Sequence, residues 1–273
     1  MKNARQAKKE FTMLLAMDIG NNNIKTGLFK DVKLCHSWRL ATDRNRTADE
    51  YGIQIWTFLV HLGYTPKDIS GIIFSSVVPS MNYTIEHMCA IYFPGLEPMQ
   101  VRHSMNTGLK FLYDYPQELG SDRICNAVAS RGLYGGCCIT VDFGTATTFG
   151  VLTEDTFLGG MICPGFKIST NALIESTAML PKVEYIKPER VIGTNTAHCI
   201  QSGILYGYVG QLEYLVKKAK DELNRPCLVI GTGGMGELIA SETDCIDILN
   251  PTLTLSGLAM LYKMNSAQLE EGR

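Results

Sequence analysis

The sequence predicts an α/β protein made of two similar halves, each with a mixed β-sheet flanked by helices. Apolar runs that are typical of buried strands alternate with segments of helical spacing. The pattern of "LLAMDIGNNNIKTGLF", which starts at Leu14, returns in "CCITVDFGTATTFGVL", which starts at Cys137. Hydrophobic residues make up 45% of the 273 residues and charged residues 19%, so the chain can fill a sizeable core.

The elements of the first half follow in the order β-β-β-α-β-α. "MLLAMDIG" predicts a central strand, and "IKTGLFKDVKLCHSWRL" predicts two more strands joined at "KD". "ADEYGIQIWTFLVHLG" has helical spacing, and one face of this helix would carry Ile53, Trp56, Leu59 and Val60. "ISGIIFSSVVPS" predicts a buried strand, and a helix follows from about residue 81 to residue 92.

The second half restarts the pattern, and an internal repeat of this kind indicates duplicated architecture. "TFLGGMICPG" predicts its third strand and "FKISTNALIESTAML" a helix. A long helix is expected from residue 194 to about 223, then a strand in "CLVIGTGG" and a helix beginning near Met235. We therefore expect an N-terminal extension at residues 1–12, a first domain at 13–134 and a second at 135–273.

Charge and cysteine usage narrow the class of protein. The formal net charge of −2 gives no basic excess for a nucleic acid or an anionic membrane surface. Nine cysteines, without a C-x-x-C pair, favour reduced, buried thiols in a cytoplasmic protein. The basic N-terminus imitates a signal peptide, but its apolar run ends at Asp18 and no small-residue cleavage site follows. No stretch approaches the roughly 20 apolar residues of a membrane span.

Asp18 and Asp142 stand near the ends of the two matching strands, each shortly before a glycine. A turn-forming aspartate would explain one of them. Two in matching contexts would face each other across a cleft between the halves, at the sheet edges where α/β proteins bind ligands. Paired carboxylates there suit Mg²⁺ that accompanies a nucleotide.

The turns that follow these aspartates carry hydrogen-bond donors. Backbone N–H groups, amides and hydroxyls of Gly20–Asn23 and Gly144–Thr147 could hold phosphate oxygens, although Asn-rich turns also occur in ordinary hairpins. The first turn is not a P-loop, because the second glycine is missing and Lys25 leads into a strand. Lys25 could add charge to the phosphate site or be simply solvated.

A third cluster lies in "YDYPQELGSDRICNAVASRGLYG", where Asp122 and Arg123 begin an amphipathic helix and Tyr113 is nearby. Spacing alone leaves Asp122 open between a functional carboxylate and a helix N-cap. "GTGGMGE" at 231–237 could approach an adenosine or its phosphates, or form a tight strand-to-helix turn. It is not a dinucleotide fingerprint. The histidines show no zinc-ligand spacing, and no G-x-S-x-G elbow occurs.

The chain resembles the type III pantothenate kinases of the actin/Hsp70/sugar-kinase superfamily from Leu14 to about Leu261. The strings that carry the resemblance occur in the family's order. They are "DIGNNNIKTG", "ISGIIFSSVVP", "YDYPQELGSDRICNAVA", "VDFGTATTF", "GGMICPG", "STAMLPKV", "IGTNTAHCIQSGILYGYVG", "TGG" and "LTLSGL". The resemblance implies duplicated ribonuclease-H-like (actin-like ATPase) domains and ATP-dependent phosphorylation of pantothenate, the first step towards coenzyme A.

The resemblance also implies roles for individual residues. Asp122 would be the general base, Thr145 would contact ATP, and Asp142 would bind a monovalent cation, K⁺ or NH₄⁺. Thr196 would contact pantothenate and lie at the interface of a homodimer. The first phosphate loop, with Asp18 near Mg²⁺, would comprise Asp18, Ile19, Gly20, Asn21, Asn22, Asn23, Ile24 and Lys25. The pantothenate site would comprise Tyr113, Gly120, Ser121, Asp122, Arg123 and Thr196.

Three positions depart from the family's pattern. Asn22 stands where threonine is usual, Gly150 where an acid is common, and Ser121 where alanine is usual. Gly150 could weaken a cation or nucleotide contact. A sugar kinase of the superfamily would share the hairpins but not the set of Tyr113, Asp122-Arg123 and Thr196. A non-catalytic regulator on the same fold remains the alternative function.

Overall fold

The computed structural model describes the backbone of residues 13–271 and the side chains of residues 13–266. The expected extension at residues 1–12 lies outside the described residues. Contacts divide the chain into two compact units, Met1–Met105 with Leu258–Arg273 and Asn106–Gly257. This grouping follows contacts in space, whereas the predicted domain boundary at residues 134 and 135 followed the sequence repeat.

The first unit contains a five-stranded mixed sheet. The strands are β1 (Met13–Ile19), β2 (Asn23–Lys30), β3 (Lys33–Ala41), β4 (Ile69–Ser76) and β5 (Met99–Gln100), in the order β3-β2-β1-β4-β5. β2 pairs antiparallel with β1 and β3, whereas β4 pairs parallel with β1 and β5. The predicted hairpins and central strand are therefore confirmed.

Helices α1 (Ala48–His61) and α2 (Pro79–Tyr92) cover one face of this sheet. Thr47 and Glu50 form a reciprocal capping box that satisfies backbone donors at the start of α1. The core between helices and sheet includes Tyr51, Ile55 and Met17, each no more than 1% exposed. Side chains alternate along a strand, so Asp18 on β1 points to the opposite face from Met17.

The predicted apolar face of α1 was wrong, although the helix itself is confirmed. Ile53, Trp56 and Val60 are 58%, 44% and 55% exposed, and of the four predicted residues Leu59 alone is buried. Helix α1 instead packs through a face that contains Gly52, where an added Cβ would come within 2.2 Å of the Tyr92 ring. The helical period is compatible with burial of either face of α1. The face with Gly52 is buried because it lets α2 approach closely, although the other face is more apolar.

The second unit contains a six-stranded mixed sheet in the order β11-β10-β7-β8-β9-β6. The strands are β6 (Lys110–Phe111), β7 (Cys137–Phe143), β8 (Ala146–Thr153), β9 (Thr156–Pro164), β10 (Leu228–Gly233) and β11 (Ile248–Leu249). The helices are α3 (Ser121–Tyr134), α4 (Phe166–Glu175), α5 (Thr196–Leu223), α6 (Gly236–Ala240) and α7 (Leu253–Glu271). The chain returns from the second unit to the first within α7.

Helices lie on both faces of the second sheet, and this decides where Asp142 points. Val141 packs in a cluster with Leu212 of α5. Cys138 packs in another with Ala129 of α3 and Leu253 of α7. Because Asp142 and Cys138 are four residues apart on β7, they share the face covered by α3 and α7.

The internal repeat is confirmed at the level of strand pairing. Strands β3-β2-β1-β4 and β9-β8-β7-β10 have the same order and directions. The parallel neighbour places Ser75 opposite Asp18 in the first sheet and Thr232 opposite Asp142 in the second. The two aspartates therefore occupy equivalent positions, each beside a hydroxyl-bearing residue on the adjacent strand.

The prediction of nine reduced thiols was wrong for one pair, because Cys137 and Cys227 form a disulfide. Cys137 starts β7 and Cys227 directly precedes β10, so the parallel pairing of these strands brings together cysteines that are 90 residues apart. Burial was also predicted wrongly for Cys35 and Cys199, which are exposed. Among the described helices, none combines the length and the apolar character that crossing a membrane requires.

Candidate active site

The first hairpin has a turn that is fixed by the segment after β3. Gly20 N donates to Asn23 O at 3.0 Å and closes the turn. Thr42 then holds it from outside, because its Oγ1 donates to Gly20 O at 2.7 Å and its N–H donates to Asn22 O at 3.1 Å. The side chains of residues 21–23 are exposed, so the turn presents amide groups on a backbone that is already ordered.

Asp18 is 6% exposed and has two neighbours in the first unit. Ser75 Oγ donates to Asp18 Oδ1 at 2.7 Å, and Lys25 Nζ lies 3.5 Å from Asp18 Oδ2. Lys25 is therefore paired with a carboxylate, not simply solvated. Ile19 and Ile24 are cross-strand partners with side chains in the core, so only their backbones could contact a phosphate.

Asp142, at the equivalent place in the second unit, is 8% exposed and is held from α3. Asn126 Nδ2 donates to Asp142 Oδ2 at 3.2 Å, and Thr254 Oγ1 of α7 donates to Asn126 Oδ1 at 2.8 Å. Asn126 and Thr254 are each 2% exposed. These bonds join three elements into one buried polar chain that ends on the carboxylate.

The turn of the second hairpin, with the half-buried Thr145, contacts the start of α4. Gly165 N donates to Thr145 O at 3.2 Å. A Cβ on Gly165 would come within 2.2 Å of Thr145 O and 2.6 Å of Gly144 O. Only glycine therefore allows α4 to begin this close to the turn.

Gly150, which stands where the family commonly has an acidic residue, has a steric reason in this chain. Gly150 is buried on β8, and a Cβ there would come within 2.6 Å of Thr140 Oγ1 and 3.2 Å of the Phe157 ring. Thr140 Oγ1 also donates to Gly150 O at 3.2 Å. An acidic side chain at this position would displace Phe157 or break that hydrogen bond.

Helix α3 begins with the motif Gly120 to Arg123, and the N-cap alternative for Asp122 was wrong. Gly120 is the N-cap, and Asp122 lies in the first turn. Asp122 Oδ1 accepts from Arg123 N at 2.8 Å. Asp122 is half-buried, whereas the adjacent Ser121 and Arg123 are buried. The positive end of the helix macrodipole favours negative charge in this turn.

Arg123 is a buried cation that lies beside two neighbouring aromatic rings. Its guanidinium carbon lies 5.8 Å from the Tyr113 ring centroid and 5.6 Å from that of Phe157. Nη2 donates to Phe149 O at 3.3 Å, whereas Nε is buried and has no hydrogen-bond partner. A buried N–H without a partner is costly, so this site fits an anionic ligand that the protein does not itself supply.

Thr196 lines a different feature of the second unit. It is exposed in the first turn of α5, and the N-cap Asn195 accepts from His198 N at 2.9 Å. A cavity of about 390 Å³ lies between α4 and α5. It is lined by Leu173, Leu180, Thr196, Cys199, Ile200, Gly203 and Ile204. The structure thus groups Tyr113 with Arg123, and it places Thr196 beside this cavity.

The glycine-rich loop after β10 approaches Asp142. Gly233 has φ +99°, and a Cβ there would come within 2.6 Å of Asp142 Oδ1. The Oγ1 of Thr232 is fully buried without a hydrogen-bond partner. Helix α6 starts at Gly236, so the tight-turn interpretation is confirmed for this segment.

The donor set beside Asp142 fits a hard cation. The Asp142 carboxylate and the unpartnered Thr232 hydroxyl provide oxygen ligands of the kind that such a cation prefers. Gly233 adds no side chain beside the carboxylate, where a Cβ would lie 2.6 Å from Asp142 Oδ1. Among the described residues, no three His, Cys, Asp or Glu side chains gather in a way that could hold a metal ion. A cation at Asp142 would therefore take its other ligands from uncharged oxygens. Asp18, another nearly buried carboxylate, likewise fits an ion that keeps several of its waters.

Tyr208 supports the second hairpin from α5. Its hydroxyl makes a short hydrogen bond with Thr147 Oγ1, and both residues are buried. Burial raises the pKa of Tyr208 to about 12, and the nearby Cys163 and Asp142 add smaller upward contributions to this pKa. The phenol therefore stays protonated, and neutral, throughout the pH range of ordinary enzymes.

Sequence reasoning missed the residues that hold the predicted aspartates. Ser75 and Asn126 lie inside strings that carried the family resemblance, yet neither was singled out. Thr254 lies inside another such string, "LTLSGL". Phe157, which stacks beside Arg123, had no signal beyond a strand pattern. Their roles arise from contacts between elements that are far apart in sequence.

Comparison with known proteins extends the description of the fold. A component of (R)-2-hydroxyglutaryl-CoA dehydratase from Acidaminococcus fermentans is similar with a TM-score of 0.56 and 13% identity, over 92% of this chain and 97% of its own. A proposed Baf family transcriptional activator from Campylobacter jejuni gives 0.59 and 18%, over 93% and 99%. The predicted fold class is confirmed: the protein has the actin-like ATPase fold, with two mixed sheets flanked by helices.

Sequence comparison defines the family within that class. The family model for type III pantothenate kinase matches residues 14–218. A type III pantothenate kinase of Bacillus cytotoxicus is 48% identical over 262 residues, which cover 95% of this chain and 100% of that protein. The chain belongs to the type III pantothenate kinase family.

Proposed function

We propose that this protein transfers the γ-phosphoryl group of ATP to pantothenate, forming 4'-phosphopantothenate in the first step of coenzyme A biosynthesis. The observation that carries the proposal is the adjacent pair of Asp122 and Arg123 at the start of α3. One is a carboxylate in a positive helix turn, and the other is a buried guanidinium with an unpartnered Nε. A substrate with both a hydroxyl and a carboxylate fits such a pair.

In this mechanism Asp122 is the general base. It accepts the proton of the primary hydroxyl of pantothenate as the hydroxyl oxygen attacks the γ-phosphorus. Arg123, kept in place by Tyr113, Phe157 and Phe149 O, binds the carboxylate of the substrate and orients it. Gly120 and Ser121 complete this side of the site. Proton abstraction by a positioned carboxylate contributes roughly 10²–10⁴-fold to the rate.

The first hairpin binds the phosphates of ATP. In the turn of residues 20–23, the amides of Asn21 to Asn23 donate to phosphate oxygens, and Lys25 adds positive charge from β2. Asp18 would hold Mg²⁺, and Thr145 of the second hairpin would contact the nucleotide. Mg²⁺, when bound, neutralises charge on the phosphate oxygens. Most of the acceleration then comes from positioning and from this fixed electrostatic environment.

We assign the monovalent cation, K⁺ or NH₄⁺, to Asp142. The supporting observations are the unpartnered Thr232 hydroxyl on the strand next to that carboxylate and the absence of a side chain at Gly233 beside it. We further propose a cytoplasmic homodimer in which Thr196 lies at the interface and contacts pantothenate. A sedimentation mass of about 60 kDa, twice the 30.2 kDa of the chain, would support the dimer.

The proposal is tested by ATP consumption with pantothenate, with and without K⁺. The wild-type protein should turn over only when pantothenate is present. Asp122→Asn should lose at least about 100-fold in kcat while it keeps its fold by circular dichroism. Asp221→Asn, which removes an exposed carboxylate of α5, should retain full activity. Full activity of Asp122→Asn would refute the role of Asp122.

The same assay distinguishes catalysis from the alternative function. A non-catalytic regulator on this fold would be folded and show no pantothenate-dependent turnover with K⁺, NH₄⁺ or Na⁺. The presence of Asp18, Asp122 and Asp142 favours catalysis, because a regulator needs none of these carboxylates. The likeness to the proposed transcriptional activator extends to the fold alone at 18% identity.

A further inference from the structure

The hydrogen bonds from Thr254 through Asn126 to Asp142 run in one direction. Thr254 Oγ1 donates to Asn126 Oδ1 at 2.8 Å, and this bond leaves the amide Nδ2 to face Asp142. Nδ2 then donates to Asp142 Oδ2 at 3.2 Å. The Asp142 carboxylate only accepts and so requires Nδ2 on its side, while the Thr254 hydroxyl satisfies the oxygen at the other end of the amide. A reversed amide would direct its oxygen at a negative charge.

Burial makes the preference for this orientation of the Asn126 amide strong. Thr254, Asn126 and Asp142 are 2%, 2% and 8% exposed, so water cannot easily replace a lost partner. Without the Thr254 hydroxyl, Asn126 Oδ1 would lose its donor, and the amide could rotate to find another. Asp142 Oδ2 would then lose the donor that Asn126 supplies. Networks of this kind act as a unit in a low-dielectric interior.

The position of Asn126 adds a second consequence. Asn126 follows Asp122 by four residues on α3, so both lie on the same side of one helix. The helix that carries the proposed general base therefore also carries the donor to Asp142. The contact of α3 with α7 is close, because a Cβ on Gly257 would come within 2.0 Å of Cys125 O. Thr254 lies one turn before Gly257, so this close contact fixes the position of its hydroxyl relative to α3.

We propose that Asn126 and Thr254 are positioning residues that set the affinity of Asp142 for its monovalent cation. This inference rests on the proposed cation site at Asp142. Partners that orient a ligating side chain typically change metal affinity by 10–100-fold when they are removed. Thr254 is buried and its hydroxyl bonds Asn126, so we expect it to act on the cation through Asn126.

The test compares Thr254→Val, which replaces the hydroxyl by a methyl group, with Thr254→Ser, which keeps it. Two quantities are measured: the half-saturating K⁺ concentration in turnover, and the K⁺ concentration that gives half of the K⁺-induced rise in Tm without substrates. Thr254→Val should raise both by about 10-fold or more. It should leave kcat at saturating K⁺ within about 2-fold of wild type. Thr254→Ser should resemble wild type.

Thr170→Val is the matched control, because Thr170 is also buried and its hydroxyl donates to Phe166 O within α4. It should leave both K⁺ concentrations unchanged. If Thr254→Val lowers Tm but leaves both K⁺ concentrations unchanged, the inference is overturned. The hydrogen bonds from Thr254 to Asp142 are then only structural. If Thr254→Val fails to fold, Thr254→Ala removes the same hydroxyl and is judged by the same criteria.

The two proposals can fail separately. A wild-type protein that turns over pantothenate but shows no K⁺ effect on turnover or Tm would overturn this inference and leave the kinase proposal standing. A protein whose Tm responds to K⁺ but which shows no turnover would refute the kinase proposal. The Tm titration of Thr254→Val with K⁺ would still decide the role of the hydrogen bonds from Thr254 to Asp142.

Discussion

At the scale of single residues, the two strand-end aspartates are each held by an uncharged hydrogen-bond donor. Ser75 binds Asp18 and Asn126 binds Asp142, and all four side chains are nearly or fully buried. An uncharged donor fixes a carboxylate without neutralising it. Neither Ser75 nor Asn126 neutralises its carboxylate, although Asp18 also pairs with Lys25 Nζ at 3.5 Å.

Ser75→Ala removes the donor to Asp18 Oδ1 and should lower kcat/KM for ATP by about 10-fold. The reason is that leaving a buried carboxylate oxygen without its hydrogen-bond donor costs roughly 1–3 kcal/mol. Steady-state kinetics at varied ATP and saturating Mg²⁺ measure the effect. Ser70→Ala, on the same strand β4 with a long contact to Met13 O at 3.4 Å, is the control and should behave as wild type. Equal kinetics for both variants would contradict this role of Ser75.

The buried phenol of Tyr208 predicts how stability changes at alkaline pH. Its folded-state pKa of about 12 lies above the ordinary value of 10.0. Its contribution to stability is fully present below pH 10 and is lost as the pH rises from 10 to 12, because only the unfolded state ionises in that range. The free energy of unfolding of the wild type relative to Tyr208→Phe should fall by about 2–3 kcal/mol across this window. Urea unfolding of both proteins at pH 8, 10 and 12 measures it, and a constant difference would contradict the assignment.

At the scale of elements, strands were predicted well and the buried face of α1 was not. A strand pattern needs only local alternation or an apolar run, and β1, β2, β4, β7 and β10 follow it. The long helix expected from residue 194 is confirmed as α5, which starts at Thr196. The two-residue strands β5, β6 and β11 went unpredicted, because their pairing partners, not their own residues, define them. The buried face of α1 depends in the same way on α2.

Two helix glycines, one at a helix contact and one without neighbours, predict opposite changes in the free energy of unfolding. Gly257→Ala should lower the free energy of unfolding by about 1–3 kcal/mol, because its Cβ would lie within 2.0 Å of Cys125 O and force α7 away from α3. Gly210→Ala on α5 meets nothing within 4 Å and should raise it by up to about 1 kcal/mol through helix propensity. Urea denaturation of each variant measures these changes. Equal effects would show that the α3–α7 contact yields without cost.

At the scale of the whole molecule, ligand binding and turnover should be separable. ATP with Mg²⁺, together with pantothenate, should raise Tm, and a ligand at 100 times its Kd adds about 2.7 kcal/mol to the free energy of unfolding. Asp122→Asn should keep the rise caused by ATP with Mg²⁺, because the phosphate-binding hairpins are unchanged. Differential scanning fluorimetry measures both proteins. Loss of this rise in the variant would indicate that Asp122 supports nucleotide binding or the fold.

The sequence by itself determined the duplicated hairpins, the family and the candidate carboxylates, because these depend on short patterns of neighbouring residues. The tertiary structure alone decided what holds those carboxylates. Ser75 is 57 residues from Asp18, Thr254 is 128 residues from Asn126, and Cys137 pairs with Cys227 across 90 residues. Such contacts form because strands pair in parallel and helices pack at glycines. A local pattern fixes the period of an element, but the partner and the buried face are fixed by what packs against it.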